Sequence, residues 1–118
     1  MVDSSPPIDV TRMREAMGDE PEEFAEILDL YLESTSQNLA LLEAAVTSAD
    51  HDAIESLAHN CAGTSATCGM VAVVPAFRAL EKAAREGSLD HAPALLAEAK
   101  KQFERICAFL KTELNTQL

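Results

Sequence analysis

Apolar residues return every three or four positions along most of this 118-residue chain, which is the spacing of one face of an α-helix. Phe24, Ile27 and Leu28 begin one such stripe. Alternation with period two, which marks strands, is rare, and the β-branched cluster at residues 71–74 is too isolated to build a sheet. Aromatic residues make up only 4% of the chain, whereas the helix formers Ala, Leu and Glu are abundant. The sequence therefore predicts an all-α fold.

Glycine, proline and capping residues divide the pattern into one short and four long helices. We expect the short helix to start near Ile8, with Asp9 as its cap, and to stop at Gly18. Pro75 is tolerable only in a first turn and Pro93 is expected in one, so each proline lies just inside a helix start. The predicted long helices cover residues 20–47, 51–67, 72–86 and 90–113.

The connections between these helices are short, which favours antiparallel neighbours. Asp19, Asp50 and either Ser88 or Asp90 are the expected caps, and Gly69 is expected to end the third helix in a left-handed conformation. The prediction is an antiparallel up-and-down four-helix bundle with a short additional N-terminal helix. It forms one domain over residues 8–118, preceded by a flexible tail at residues 1–7.

Net charge excludes several classes of partner. Nine basic and 20 acidic residues give a net charge of −11, which repels nucleic acids and anionic lipid surfaces. The longest apolar run, residues 70–77, is far shorter than the roughly 20 residues of a membrane-spanning helix. Three cysteines without a framework spacing suit reduced thiols, and the start of the chain does not resemble a signal peptide. We expect a cytoplasmic monomer that binds neither nucleic acid nor membrane.

The third helix carries the most informative pattern. At about 100° per residue, Ile54, Ala58 and Cys61 fall on one stripe that faces the core. His59 falls on the opposite side, so we expect its imidazole to face solvent. Gly63 lies inside the helix, where glycine costs roughly 1 kcal/mol relative to alanine. Two explanations of Gly63 stay open: close approach of a ligand or partner, and a kink or tight helix packing.

Residues 58–70 resemble the signature of the histidine phosphotransfer (HPt) domain of two-component phosphorelays. The matching residues are His59, the glycine four positions later, two hydroxyl residues, and an apolar residue followed by glycine: Gly63, Thr64, Ser65, Cys68 and Gly69. The acidic start of the second helix, at residues 19–24, and the segment 79–87 also look like that family. The resemblance therefore covers about residues 8–114.

The resemblance implies that His59 is the phosphoacceptor and relays a phosphoryl group between receiver-domain aspartates. A response-regulator receiver domain would supply the Mg²⁺, with a hybrid sensor histidine kinase as a further partner, and this chain would hold no cofactor or metal of its own. The protein would be a phosphocarrier rather than an enzyme. Glu55 lies one turn before His59, and two interpretations of it stay open: an acceptor of a hydrogen bond from the other ring nitrogen of His59, and an exposed surface glutamate with no role. The expected docking surface comprises Glu55, Ser56, Ala62, Gly63 and Ala66.

One position departs from the family pattern. Ala62 occupies the place of a lysine or arginine that helps to neutralise the phosphoryl group. Arg78 and Lys82 on the next helix are candidate substitutes, although with Arg85 they also fit an ordinary solvated strip that pairs with acidic neighbours. The alternative function is therefore an HPt-like adaptor that binds a receiver or kinase without efficient phosphotransfer.

Other chemical roles fit the pattern poorly. A metal site formed by His59 with Cys61 and Cys68 is opposed by the helical wheel, which directs the thiols inward and the imidazole outward. A hydrolase using His59 with Ser65 fails for the same reason. His51 and His91 lie at predicted helix starts, where a solvated histidine is the ordinary interpretation.

Overall fold

The computed structural model describes residues 6–114, and side chains for residues 6–112. This part of the chain forms five α-helices, with a 3₁₀ turn before the fourth and a π-helical turn after the fifth. The helices are α1 (Val10–Met17), α2 (Pro21–Thr47), α3 (His51–Thr67), α4 (Val74–Arg85) and α5 (Ala92–Phe109), and the two turns cover Val71–Val73 and Leu110–Leu114.

Helices α2 to α5 form the four walls of a bundle. Each packs against two others: α2 and α4 both contact α3 and α5, and the α3–α4 contact is the most extensive. Helix α1 lies across α2 and α3. Leu42, Ile54, Phe77 and Leu80 have no exposed surface and anchor the core. The predicted all-α bundle with a short extra N-terminal helix is confirmed. Within residues 6–114, no helix is both long and apolar enough to cross a membrane.

The predicted helix starts are confirmed more often than the predicted caps. Asp9 and Asp50 accept hydrogen bonds from the backbone amides of Arg12 and Ala53, at 3.1 and 3.2 Å. The prediction of Asp19 as a cap is wrong, as is that of Ser88 or Asp90. Glu20 and His91 hold those positions, and neither makes a side-chain cap. Both helices have proline in the first turn, which fixes φ and needs no amide partner, so the start does not depend on a cap.

The N-terminal segment enters the bundle earlier than predicted. Residues 1–5 of the predicted tail lie outside the described residues. Pro7 is buried, and its carbonyl accepts a hydrogen bond from the backbone amide of Ala72 at 3.1 Å. Pro7, a residue of the predicted tail, is therefore packed against the connection that precedes α4.

Gly69 joins the end of α3 to the start of α1. Its φ of +79° is left-handed, as predicted. Its amide donates a hydrogen bond to the carbonyl of Ala66, and its carbonyl accepts one from the amide of Asp9. A Cβ at Gly69 would lie 2.6 Å from the carbonyl oxygen of Asp9 and 2.8 Å from the amide nitrogen of Met13. Only glycine therefore lets the backbone of α1 lie directly on the α3–α4 connection.

We expect Gly69→Ala to lower the free energy of unfolding by about 2–3 kcal/mol, since it combines left-handed strain with a backbone overlap. Gly87→Ala is the matched control. Gly87 has a similar φ of +75°, but a Cβ there meets no atom within 4 Å. Urea unfolding followed by circular dichroism measures both variants. Equal losses would contradict the role of Gly69 in seating α1.

Candidate functional site

His59 lies in the third turn of α3, and its side chain is 63% exposed. The orientation follows from the local sequence. The Asp50 cap starts the helix, and the burial of Ile54, Ala58 and Cys61 directs one face of α3 into the core. His59 directly follows buried Ala58, and its ring projects over α4. The predicted exposure of the imidazole is confirmed.

One ring nitrogen of His59 is held by α4. Nδ1 lies 2.9 Å from Oε2 of Glu81, a carboxylate that is only 7% exposed as a residue. The interpretation of Glu55 as the acceptor of this hydrogen bond is wrong. Glu55 is instead paired with Arg85, whose Nε donates to Oε2 of Glu55 at 3.1 Å. Glu55 lies on the same helix as His59, whereas Glu81 faces it from the neighbouring helix and can reach across.

Three side chains bond to the carboxylate of Glu81. Besides His59, Nη1 of Arg78 donates to Oε1 at 3.3 Å, and Nη2 of Arg85 donates to Oε2 at 2.6 Å. The hydrogen bond from His59 lowers the pKa of Glu81 most, and Arg78 and Arg85 add to this effect against the opposing effect of burial. In turn, the hydrogen bond to Glu55 and the charge of Glu81 raise the pKa of Arg85.

This arrangement fixes the tautomer of the imidazole. Because Glu81 is ionised, it accepts a hydrogen bond, so Nδ1 of His59 carries the hydrogen and donates it. The neutral ring then has its lone pair on Nε2, the nitrogen on the opposite side of the ring from Glu81. His59 thus presents a nucleophilic nitrogen from a side chain that is mostly in solvent.

Two shallow depressions flank His59. The first has a volume of about 370 Å³ and lies between α3 and α4, with Glu55, Ser56 and Arg85 on its walls. The second, of about 430 Å³, is lined by uncharged residues that include Asn60, Gly63 and Thr64. His59 stands between them, so a partner that covers either one meets the imidazole.

Gly63 forms an open part of this surface. A Cβ at Gly63 would meet no atom within 4 Å apart from its own helix and immediate neighbours. Tight helix packing is therefore excluded as the reason for a glycine at this position. The site has room for another molecule to approach the backbone of α3 one turn after His59.

The other predicted docking residues divide into two groups. Ser56 is exposed, and Glu55, Gly63 and Ala66 are half-buried. Ala62 is fully buried, so its assignment to the exposed surface is wrong. The reason is the close packing of α4 on α3, which covers the edge of α3 beyond Ala58 and widens the buried stripe.

The other candidate nucleophiles and ligands are mostly directed into the core. Cys61 and Cys68 are buried, and burial raises the pKa of Cys61 to about 11. Ser65 has no exposed surface and hydrogen-bonds the hydroxyl of Tyr31 at 2.8 Å. Cys68 lies at the border of the core, since it also lines the second depression beside His59. His51 begins α3 and His91 precedes α5.

Sequence reasoning missed Glu81 as a partner of the imidazole. Glu81 is one of the acidic neighbours of the basic strip, three residues after Arg78 and four before Arg85. An acidic residue between two arginines at these spacings forms ion pairs along a helix. The pairing with His59 required the relative position of two helices, which the pattern of a single helix does not contain.

Comparisons with known proteins agree with this fold. The family model described as "Hpt domain" matches residues 26–111. Among solved structures, the chain is similar to the crystal structure of histidine-containing phosphotransfer protein B (HptB) from Pseudomonas aeruginosa PAO1. The two share 28% identity over 93% of this chain and 96% of that one, with a TM-score of 0.85. A comparison with curated proteins found no significant match.

Proposed function

Because the chain belongs to the Hpt domain family of histidine phosphotransfer proteins, we propose that His59 accepts a phosphoryl group on Nε2 and passes it on in a phosphorelay. The observation that carries this proposal is the 2.9 Å contact between Nδ1 and Glu81. It leaves Nε2 as the basic nitrogen of an imidazole that is 63% exposed. An exposed nucleophile on a rigid helix suits transfer between proteins.

The proposed transfer needs no separate base to remove a proton from His59. Nε2 attacks the phosphorus of a phosphoaspartate in the donor. The N–P bond forms as the bond between phosphorus and the aspartyl oxygen breaks, and the aspartate carboxylate leaves with the electron pair. No proton leaves Nε2, since it carries none. The ring gains positive charge, which the carboxylate of Glu81 stabilises through the hydrogen bond from Nδ1.

We assign the metal and the remaining catalytic groups to the partner. Phosphoryl transfer depends on in-line positioning and on stabilisation of charge, which commonly require Mg²⁺ and a cation. The carboxylates nearest His59 are those of Glu55 and Glu81, and both are already paired with Arg85. In this proposal a receiver domain contributes its phosphoaspartate and Mg²⁺, and a hybrid sensor kinase is the earlier source of the phosphoryl group.

The charge of the protein supports the remaining parts of the proposal. A net charge of −11 disfavours self-association as well as binding to nucleic acids and anionic membranes. We therefore propose a monomer whose partners are proteins. Three cysteines without a framework spacing support a cytoplasmic location.

The test is incubation with a phosphorylated receiver domain and Mg²⁺, followed by mass spectrometry at neutral pH to locate the label. A relay protein acquires an acid-labile phosphoryl group on His59. An adaptor binds the receiver and acquires none, which would overturn the proposal. A label on His51 or His91 would also overturn the assignment of the acceptor.

We expect Glu81→Ala to slow phosphorylation of His59 about tenfold, because the imidazole loses its anchor and the stabilisation of its developing charge. Glu81 acts as a positioning residue, so ¹⁵N NMR of the ring should show a shift from the Nδ1–H tautomer toward Nε2–H. Glu86→Ala is the control, since Glu86 is an exposed acid next to the end of the same helix. A slower Glu81→Ala variant with an unchanged tautomer would contradict this role.

A further inference from the structure

The register between α3 and α4 is fixed by two side-chain pairs. His59 contacts Glu81, and Glu55 contacts Arg85. Four residues back along α3 therefore correspond to four residues forward along α4, as expected for antiparallel helices. By the same register Ala62, three residues after His59, lies level with Arg78, three residues before Glu81. The guanidinium group of Arg78 bonds Glu81.

A phosphoryl group on His59 would need a nearby cation. It adds about two negative charges at neutral pH. It adds them beside Glu55 and Glu81, in a chain whose net charge is already −11. The two arginines that bond Glu81 are the cations tied to this site in the described part of the chain.

These two arginines are held to different degrees. Arg85 bonds two carboxylates, at 3.1 and 2.6 Å, and its departure would take the paired cation from Glu55 and the shorter of the two arginine contacts from Glu81. Arg78 has a single bond to Glu81, which is long at 3.3 Å, and its side chain is 48% exposed. Turning Arg78 toward a new anion therefore costs less than turning Arg85.

The residues of α3 that lie level with Arg78 in this register are small. Ala62 ends at a buried methyl group. Gly63 beyond it has no side chain, and its surroundings are open. Lys82 is directed differently, since it follows Glu81 immediately and is therefore rotated from it by about 100° around α4. Arg78, one turn before Glu81, lies closer to the face that meets His59.

We propose that Arg78 binds the phosphoryl group carried by His59, and so provides from α4 the positive charge that α3 lacks at Ala62. This inference rests on the proposed function. In the unphosphorylated protein, Arg78 bonds Oε1 of Glu81. When the N–P bond forms, its guanidinium donates hydrogen bonds to the phosphoryl oxygens, and Arg85 continues to neutralise Glu81.

The test uses phosphoramidate, a small donor that needs no partner protein. Nε2 of His59 attacks its phosphorus, the N–P bond to the ring forms, and the original P–N bond breaks with release of ammonia. ³¹P NMR follows the rate of labelling and the second ionisation of the bound phosphoryl group. The variants are Arg78→Ala and Lys82→Ala, which remove the same charge one turn apart on α4.

We expect Arg78→Ala to slow labelling about fivefold or more at low salt and to raise the phosphoryl pKa by roughly one unit, since a neighbouring cation favours the dianion. Lys82→Ala should stay close to the wild type in both measurements. Arg78→Lys should recover part of the labelling rate and of the phosphoryl pKa. If circular dichroism shows that Arg78→Ala is unfolded, Arg78→Lys takes its place in the comparison.

The failures of the two proposals are distinguishable. A wild-type protein that takes no label on His59 would overturn the proposed function itself. A labelled wild type with Arg78→Ala indistinguishable from Lys82→Ala would overturn the role of Arg78 alone. That role is also overturned if only Arg85→Ala shifts the phosphoryl pKa, since the cation would then be Arg85.

Discussion

His59→Gln is expected to abolish the acid-labile phosphoryl label, a loss of at least about a thousandfold in phosphorylation rate. Glutamine approximates the length of histidine, but its amide nitrogen shares its lone pair with the carbonyl and is not a nucleophile at neutral pH. Its NH₂ group can still donate to Glu81, so the carboxylate keeps its partner. The variant thus removes the reacting nitrogen while preserving much of the surrounding geometry.

The fold of His59→Gln should be unchanged. The side chain is 63% exposed, and substitutions at such positions commonly alter stability by about 0.5 kcal/mol or less. His51→Gln and His91→Gln are the matched controls, because they remove the other two imidazoles and should retain the label. A folded His59→Gln protein that still takes acid-labile phosphate would place the acceptor elsewhere.

The sequence predicted the parts of the fold that depend on local physics. The Asp50 cap of α3, the place of Pro75 in the first turn of α4 and the left-handed Gly69 follow from capping, a fixed φ angle and the absence of a Cβ. The fourth helix starts at Val74 rather than near residue 72, because a 3₁₀ turn precedes it. The exposure of His59 followed from the apolar period of a single helix. Each of these features is decided within a few residues of chain, so a pattern in one segment is sufficient.

Features that depend on how two helices meet were not predictable in the same way. The wheel of α3 places Ala62 at the border of the apolar stripe, and only the packing of α4 decides that it is buried. Sequence reasoning considered Glu55 as the partner of His59, because the two lie one turn apart on the same helix, and did not consider Glu81. The choice between them depends on the register of α4, which sets Arg85 opposite Glu55 and Glu81 opposite His59.

Gly63→Glu is expected to lower the rate of phosphotransfer from a phosphorylated receiver domain by at least about a hundredfold. A carboxylate side chain would project from the open surface next to His59, where the proposal requires a partner to approach the backbone of α3. An unpaired charge that is desolvated in an interface costs several kcal/mol. Labelling by phosphoramidate should change by less than about threefold, because a small donor does not need that surface.

The fold of Gly63→Glu should be retained and slightly stabilised, since glutamate is a better helix former than glycine by roughly 0.5–1 kcal/mol and its Cβ meets no neighbour. Gly63→Ala separates the effect of helix propensity from that of side-chain bulk and charge. It gains a similar helix propensity with only a methyl group, and should transfer phosphate at a rate close to that of the wild type. Gly63→Gln supplies the bulk of glutamate without its charge. Normal transfer from the receiver by a fully helical Gly63→Glu protein would show that the partner reaches Nε2 from another direction, across the depression bounded by Glu55 and Arg85.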